Sequence, residues 1–223
     1  LSLIPKLAYD PLKDAQPISM LALIPMVAAV PADSAARSVA DFIVQARAKP
    51  GALSFGSAGN GTAMHLSGEM FQQMTGTRLA HVPYKGSGPA VTDLLTGAIP
   101  VAFVDLSSAL PHIRSGKVRG LATLGAQRTL SAPDLPTMAE QGVTGYDAVG
   151  WFGLAGPAGM PAEVVERLAG EVGRVMRLAD VREKSLALGA EPAPGTPAQF
   201  AAFIRAEIPK WAAVITQGNI KAD

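Results

Sequence analysis

Apolar residues follow two rhythms along this chain, and the two alternate from end to end. Short solid runs such as Val101–Val104 read as buried strands, whereas Val164, Val165, Leu168, Val172 and Val175 share one helical stripe. The alternation predicts an α/β fold. Ile18 to Val30, interrupted by Pro25, predicts one or two buried strands or a strand crossing between lobes. Ser38-Val39-Ala40-Asp41 has the form of a capping box opening a helix to about Ala48, stopped by Lys49-Pro50-Gly51. Leu53–Gly56 reads as a strand. A glycine-rich turn then leads to a helix from Thr62 to about Thr75, with Ala63, Leu66, Met70 and Met74 inward and His65 on the opposite face beside Glu69 and Gln72.

Ala80–Tyr84 predicts a strand, and Pro89 suits the first position of a helix running to about Thr96. Val101–Val104 ends at Asp105, Leu110–Ser115 is a short helix, and Gly120–Leu124 and Tyr146–Leu154 are strands. Helices follow over Pro161–Leu178 and Asp180–Leu188. A last one starts at Thr196-Pro197 and turns Phe200, Phe203, Ile204 and Trp211 inward.

Composition narrows the function classes. The 223 residues are 48% hydrophobic and carry a net charge of +1, which excludes a charge-rich disordered chain. The 19 Lys and Arg are scattered rather than gathered into a basic stripe, so a nucleic-acid partner is not expected. Without cysteine there is no disulfide, thiolate catalysis or cysteine-bound zinc. The uncharged stretch Ala15–Ala32 contains Pro17, Pro25 and Pro31, which argues against a membrane-spanning helix.

Two segments share one design, a strand, a loop of small residues and a helix start. They are Gly56-Ser57-Ala58-Gly59-Asn60-Gly61-Thr62 and Tyr84-Lys85-Gly86-Ser87-Gly88-Pro89. The first amides of a helix lack partners and the helix dipole adds positive charge there, so such ends attract anions. Each loop alone is equally well an ordinary tight turn; the duplication, with hydroxyls at Ser57, Thr62 and Ser87, points to a carboxylate grip. Asp105 is either a cap for the segment after it or a receiver for a ligand ammonium or a bridging water. Lys85, Tyr84 and Trp151 read either as pocket wall or as ordinary solvated or core residues, and His65 either as a solvated or helix-bonded residue or as one that orients the first loop.

Several enzyme readings fail on spelling. Met64 stands where a dinucleotide fingerprint needs its last glycine, and no phosphate-loop lysine follows. Phe55 and Lys85 replace the first glycine of a nucleophile elbow around Ser57 and Ser87. His65, His81 and His112 have no metal-ligand spacing, so neither metal nor cofactor is expected.

A series of short motifs stands in order: Tyr9-Asp10-Pro11-Leu12-Lys13-Asp14, Ser57-Ala58-Gly59-Asn60-Gly61-Thr62 with His65, and His81-Val82-Pro83-Tyr84-Lys85-Gly86-Ser87-Gly88-Pro89-Ala90. Ala109-Leu110-Pro111-His112-Ile113, Pro136-Thr137, Trp151-Phe152-Gly153-Leu154 and Gly156-Pro157-Ala158-Gly159 follow. The series resembles the Bug-type extracytoplasmic receptors, the substrate-binding proteins of tripartite tricarboxylate transport systems. The resemblance covers essentially the whole chain. It implies an α/β, two-lobed, periplasmic-binding-protein-like fold of type II, with residues 1–24 and 151–223 in lobe one, 25–150 in lobe two, and crossings near Pro25–Val30 and Gly150–Phe152.

The implied function is a periplasmic receptor without catalysis. It would close by a hinge on a dicarboxylate, amino acid or related acid and deliver it to a membrane permease, with a sensor kinase as a further partner of some relatives. Carried onto this sequence, the ligand site is Ser57, Gly59, Asn60, Gly61, Thr62, Tyr84, Gly86, Ser87, Gly88, Pro89 and Asp105, supported by His65, Lys85, Trp151 and Phe152. The rival readings are an enzyme acting on carboxylates or phosphates and a receptor-derived sensing or interaction module. Members of the family are typically longer at the amino end, by roughly 70–80 residues, which predicts an incomplete lobe-one sheet with an apolar face or edge exposed.

Overall fold

A computed structural model describes residues 2–4 and 6–221. In chain order its elements are β1 (Ala15–Ile24), β2 (Met26–Pro31), α1 (Val39–Ala48), β3 (Ser54–Ser57), α2 (Ala63–Thr75), β4 (Ala80–Pro83), α3 (Ser87–Leu95), β5 (Ala102–Asp105), α4 (Leu106–Arg114), β6 (Val118–Thr123), β7 (Gly150–Pro157), α5 (Ala162–Met176), α6 (Ala179–Ala187), β8 (Glu191–Pro192) and α7 (Pro197–Gly218). The chain forms two compact units. One holds the residues up to Ile24 together with Gly150–Thr216; the other holds Pro25–Val149 and the residues from Gln217 onward.

The second boundary differs from the expected single return over 151–223. Gly150 joins the first unit because it pairs with Ile24 at the end of the β1–β7 ladder. From Gln217 the chain belongs to the second unit, where the Asn60 side chain donates to the Lys221 carbonyl at 2.8 Å.

The first unit is built on a sheet of order β7-β1-β8. β1 and β7 run antiparallel from Ala15↔Pro157 to Ile24↔Gly150, and two register shifts bend the ladder. Trp151 meets Phe200 and Phe203 edge-on, at 5.6 and 5.5 Å between centroids. A Cβ on Gly153 would run into the Phe200 ring, so glycine lets α7 seat against the strand. Of the apolar stripe expected on α5, only Val165 is fully buried, while Val164, Leu168 and Val175 are 42%, 37% and 38% exposed. The stripe is wider than the line along which α5 meets β1.

The second unit carries a five-stranded sheet of order β4-β3-β5-β2-β6. β3 runs parallel to both β4 and β5, whereas β2 runs antiparallel to β5 and β6. All six residues of β2 are buried. Val27 and Ala29 point into a core with Ala90, Val91, Leu94, Leu106 and Ala109 from α3 and α4. Phe55, Phe71 and Phe103 form a second cluster, joined by Phe42.

Local signals set several helix ends. Ser38 accepts the Asp41 amide at 3.1 Å, as the capping spelling predicts, but the Asp41 carboxylate reaches one residue further, to the Arg37 amide at 2.9 Å. α3 starts at Ser87, two residues before Pro89, which sits where the missing N–H has no helical acceptor in any case. α4 starts at Leu106 rather than Leu110, with Pro111 inside it. Tyr146 is not part of a strand; it is buried and donates to the Ser67 carbonyl at 2.8 Å.

α2 shows the largest departure. Its buried face is His65, Leu66, Ser67, Gly68, Met70, Phe71 and Thr75, and Met74 is 43% exposed. Gly68 explains the rotation: a Cβ there would run into the Phe55 ring, so its absence lets the helix lie directly on β3. His65 is therefore drawn inward to 5% exposure instead of facing solvent.

Candidate functional site

β4, β3 and β5 run in one direction, so their carboxyl ends share one edge of the second unit's sheet. Each leads directly into a helix: β3 through residues 58–62 into α2, β4 through residues 84–86 into α3, and β5 at Asp105 into α4. The two glycine loops are neighbours in space. The Tyr84 amide donates to the Ser57 carbonyl and the Gly86 amide to the Ala58 carbonyl, both at 3.0 Å. Gly59, Gly61 and Gly86 have φ of 133°, 72° and 112°, backbone that side-chain-bearing residues rarely adopt. A Cβ on Gly59 would also stand 3.1 Å from the Tyr84 carbonyl oxygen.

The two helix starts differ in how they are finished. α2 is closed by its own side chains: Thr62 Oγ1 accepts the His65 amide at 3.3 Å and donates to the Gly59 carbonyl at 2.7 Å. Gly61 N–H donates to His65 Nδ1 at 3.0 Å, and Gly59 N–H to Ser57 Oγ at 3.2 Å. The first loop thus spends much of its donor capacity on itself. α3 begins instead at Gly86, which has no side chain to cap it, and nothing stands within 4 Å of where a Cβ on Gly88 would be. Charge of the helix dipole is least masked at this second end.

The hydroxyls are internally engaged. Ser57 is fully buried, and its Oγ lies 2.7 Å from His81 Nε2. Ser87 is 6% exposed and donates to the Asp105 carboxylate at 2.8 Å. Asp105 makes no capping bond to α4, so the reading as a cap for the following segment fails. Burial pushes its carboxyl above the usual range, against the opposing effect of the Ser87 bond. Tyr84 donates its hydroxyl to Asp93 on α3 at 2.7 Å, and burial followed by that carboxylate pushes its phenol up to about 12. Asn60, Gly61 and Thr62 are partly exposed, and Lys85, Gly88 and Pro89 are exposed. Trp151 and Phe152 belong to the first unit, where Phe152 is 63% exposed.

Residues outside the expected set complete this edge. His81 stacks on His65 with ring centroids 3.7 Å apart and planes 5° from parallel. The signal available for it is the alternation of β4, which pairs His81 with Phe55 in register. Ser57 and His81 are the hydrogen-bonded pair an enzyme would need, but a nucleophile with no exposed surface cannot meet a substrate. Among the described residues no cluster of three or more His, Cys, Asp or Glu could hold a metal, and no helix is long and apolar enough to cross a membrane. A separate cavity of about 370 Å³ in the first unit, lined by Gly170, Gly173, Arg177 and Gln199 among others, contains none of the expected residues.

Comparison with known proteins covers the chain almost completely. The protein BugT of Bordetella pertussis is 37% identical over 221 residues, spanning 99% of this chain and 68% of its own. The Rhodopseudomonas palustris protein Rpa4515, solved with adipate, is 34% identical with a TM-score of 0.84, over 99% of this chain and 74% of that one. MatC from Rhodopseudomonas palustris, solved with bound malate, is 29% identical with a TM-score of 0.79, over 96% and 74%. The chain spans about two thirds of the length of the curated relatives it matches. The family model described as tripartite tricarboxylate transporter family receptor matches residues 2–220. With that match, the carboxyl-edge loops and the agreement in fold, the chain belongs to the tripartite tricarboxylate transporter receptor family.

Proposed function

We propose that this chain binds a small organic acid, of which a dicarboxylate is the best candidate, at the edge where β4, β3 and β5 end. The observation that carries the reading is the start of α3, where Gly86 supplies no capping side chain and the backbone around Gly88 is open. One carboxylate of the ligand would accept from the first amides of α3, with the partly exposed Asn60, Gly61 and Thr62 beside it. Two relatives solved with adipate and malate support this ligand class. The ligand is held and not transformed: the Ser57 hydroxyl is fully buried against His81, and Asp105 is bonded to Ser87. The protein then acts in the periplasm, delivering its acid to a membrane permease of the tripartite tricarboxylate type.

Isothermal titration calorimetry of the purified chain tests the reading against a panel of adipate, malate, other dicarboxylates, monocarboxylates and amino acids. Saturable 1:1 binding of a dicarboxylate, lost on adding charge at the α3 start, is the expected result. Absence of heat with every acid, from protein that unfolds cooperatively, overturns it.

A further inference from the structure

Resting on the carboxylate-binding reading, we propose that His65 is a positioning residue that holds the 58–62 loop in its binding form only while its imidazole is neutral, so that acid loosens the site. Gly61 N–H donates to His65 Nδ1 at 3.0 Å. A nitrogen that accepts a hydrogen bond carries no proton, so the neutral ring keeps its proton on Nε2. That edge faces Glu69 Oε1, 3.6 Å away. A second proton can go only to Nδ1, where it meets the Gly61 N–H donor head-on and the bond to the loop is lost.

The surroundings make this a choice between two partners. On α2, Glu69 is the carboxylate that rewards a charged His65. From β4, His81 lies face to face at 3.7 Å. From β3 comes Phe55, uncharged and 6.2 Å away between centroids. The neutral ring therefore faces Glu69 and holds the loop at once, whereas the cation keeps Glu69 and gives up the loop. His81 holds the other end of the same loop: its Nε2 lies 2.7 Å from Ser57 Oγ, which accepts the Gly59 amide at 3.2 Å. The stacked pair thus reaches both Gly59 and Gly61, and charging one ring disturbs a support on which the whole turn rests.

Two variants and a ligand-free measurement test this. His65→Asn places an amide oxygen where Nδ1 stands and cannot titrate; His65→Leu removes the acceptor. Calorimetry with adipate and with malate is run on each protein at about pH 7.5 and about pH 5.5. Affinity of the unaltered chain should fall by about five- to ten-fold more than that of His65→Asn, the equivalent of one hydrogen bond. His65→Leu should bind weakly at both values. Equal falls in the unaltered chain and His65→Asn overturn the proposal, because ligand protonation alone would then account for both.

Nitrogen-15 NMR of the ligand-free protein reads the lock directly. The neutral His65 should carry its proton on Nε2, and the Gly61 amide should shift with the His65 midpoint. A proton on Nδ1, or a Gly61 amide that ignores the titration, overturns the lock. If neither acid binds while the Gly61 amide follows His65, the carboxylate reading fails and the lock stands.

Discussion

Ser87 and Asp105 hold each other twice: the Ser87 hydroxyl donates to the Asp105 carboxylate at 2.8 Å, and the Asp105 backbone N–H donates back to Ser87 Oγ at 3.3 Å. The pair ties the start of α3 to the end of β5 and sets a carboxyl group beside a helix end proposed to receive an anion. Burial raises the Asp105 pKa, so its ionised form is harder to hold in the folded state than in the unfolded chain. The sign follows: this group adds stability below the ordinary carboxyl range, and the contribution is lost as pH rises through its elevated value. Asp105→Asn keeps an oxygen for Ser87 and cannot ionise. It should raise the unfolding temperature by about 1–3 °C at neutral pH, with the difference vanishing near pH 4, as thermal unfolding at the two values would show. It should also tighten dicarboxylate binding by removing a neighbouring negative charge.

Gly88 lies in the first turn of α3, and nothing stands within 4 Å of where its Cβ would be. Gly88→Asp should therefore leave the fold intact, and a carboxylate at this helix end is itself mildly stabilising. The same charge should repel an anionic ligand, weakening adipate or malate by about 100-fold or more, the scale of two to three kcal/mol between close like charges in a partly dry site. Gly88→Ala is the control for bulk without charge and should weaken binding far less than Gly88→Asp. Calorimetry on both variants, with thermal unfolding as the fold check, decides the matter.

Thr62 is a helix cap whose hydroxyl proton is already given to the Gly59 carbonyl. Thr62→Val keeps the branched shape and removes both bonds. Stability should fall by about 1–2 kcal/mol, measured by urea unfolding. Ligand affinity should fall less than it does in His65→Leu, because Gly61 keeps its acceptor. A loss of binding with unchanged stability would assign the hydroxyl to the ligand.

Gly68→Ala offers a better helix former and no room for it. The added methyl would collide with the Phe55 ring, so α2 must lift from β3 or the ring must turn. We expect a loss of about 1–3 kcal/mol despite the gain in helix propensity. Urea unfolding measures it, and an unchanged midpoint would mean that the ring yields freely.

Much of this architecture is legible in the chain because its causes are local. Ser38 before Val39 and Thr62 before Ala63 cap their helices through bonds only three residues long, which spelling alone can predict. Gly59, Gly61 and Gly86 advertise left-handed backbone, and the backbone has it. What the chain hides is set by partners far away in sequence. Which face of α2 is buried depends on Phe55 meeting Gly68, so periodicity built on Met70 and Met74 turns the helix too far and leaves His65 in solvent. The engagement of Ser57 depends on the β3–β4 register that brings His81 alongside, and the link from Tyr84 to Asp93 on how α3 turns back over the loop that precedes it. A hydroxyl in a loop reads as free until the strand beside it is known.

The five-stranded sheet has a consequence for motion. β2 is bonded on both edges and buried along its whole length, so its amides should be among the last to exchange with deuterium. β4 is the outermost strand on the other side, paired only with β3 and partly open to water. Breathing at this side of the unit should therefore begin at β4, carrying His81 and the approach to α3 with it, while the buried β2 stays paired. Whatever rate governs capture or release of an acid here should track the fraying of that one strand rather than the stability of the unit as a whole.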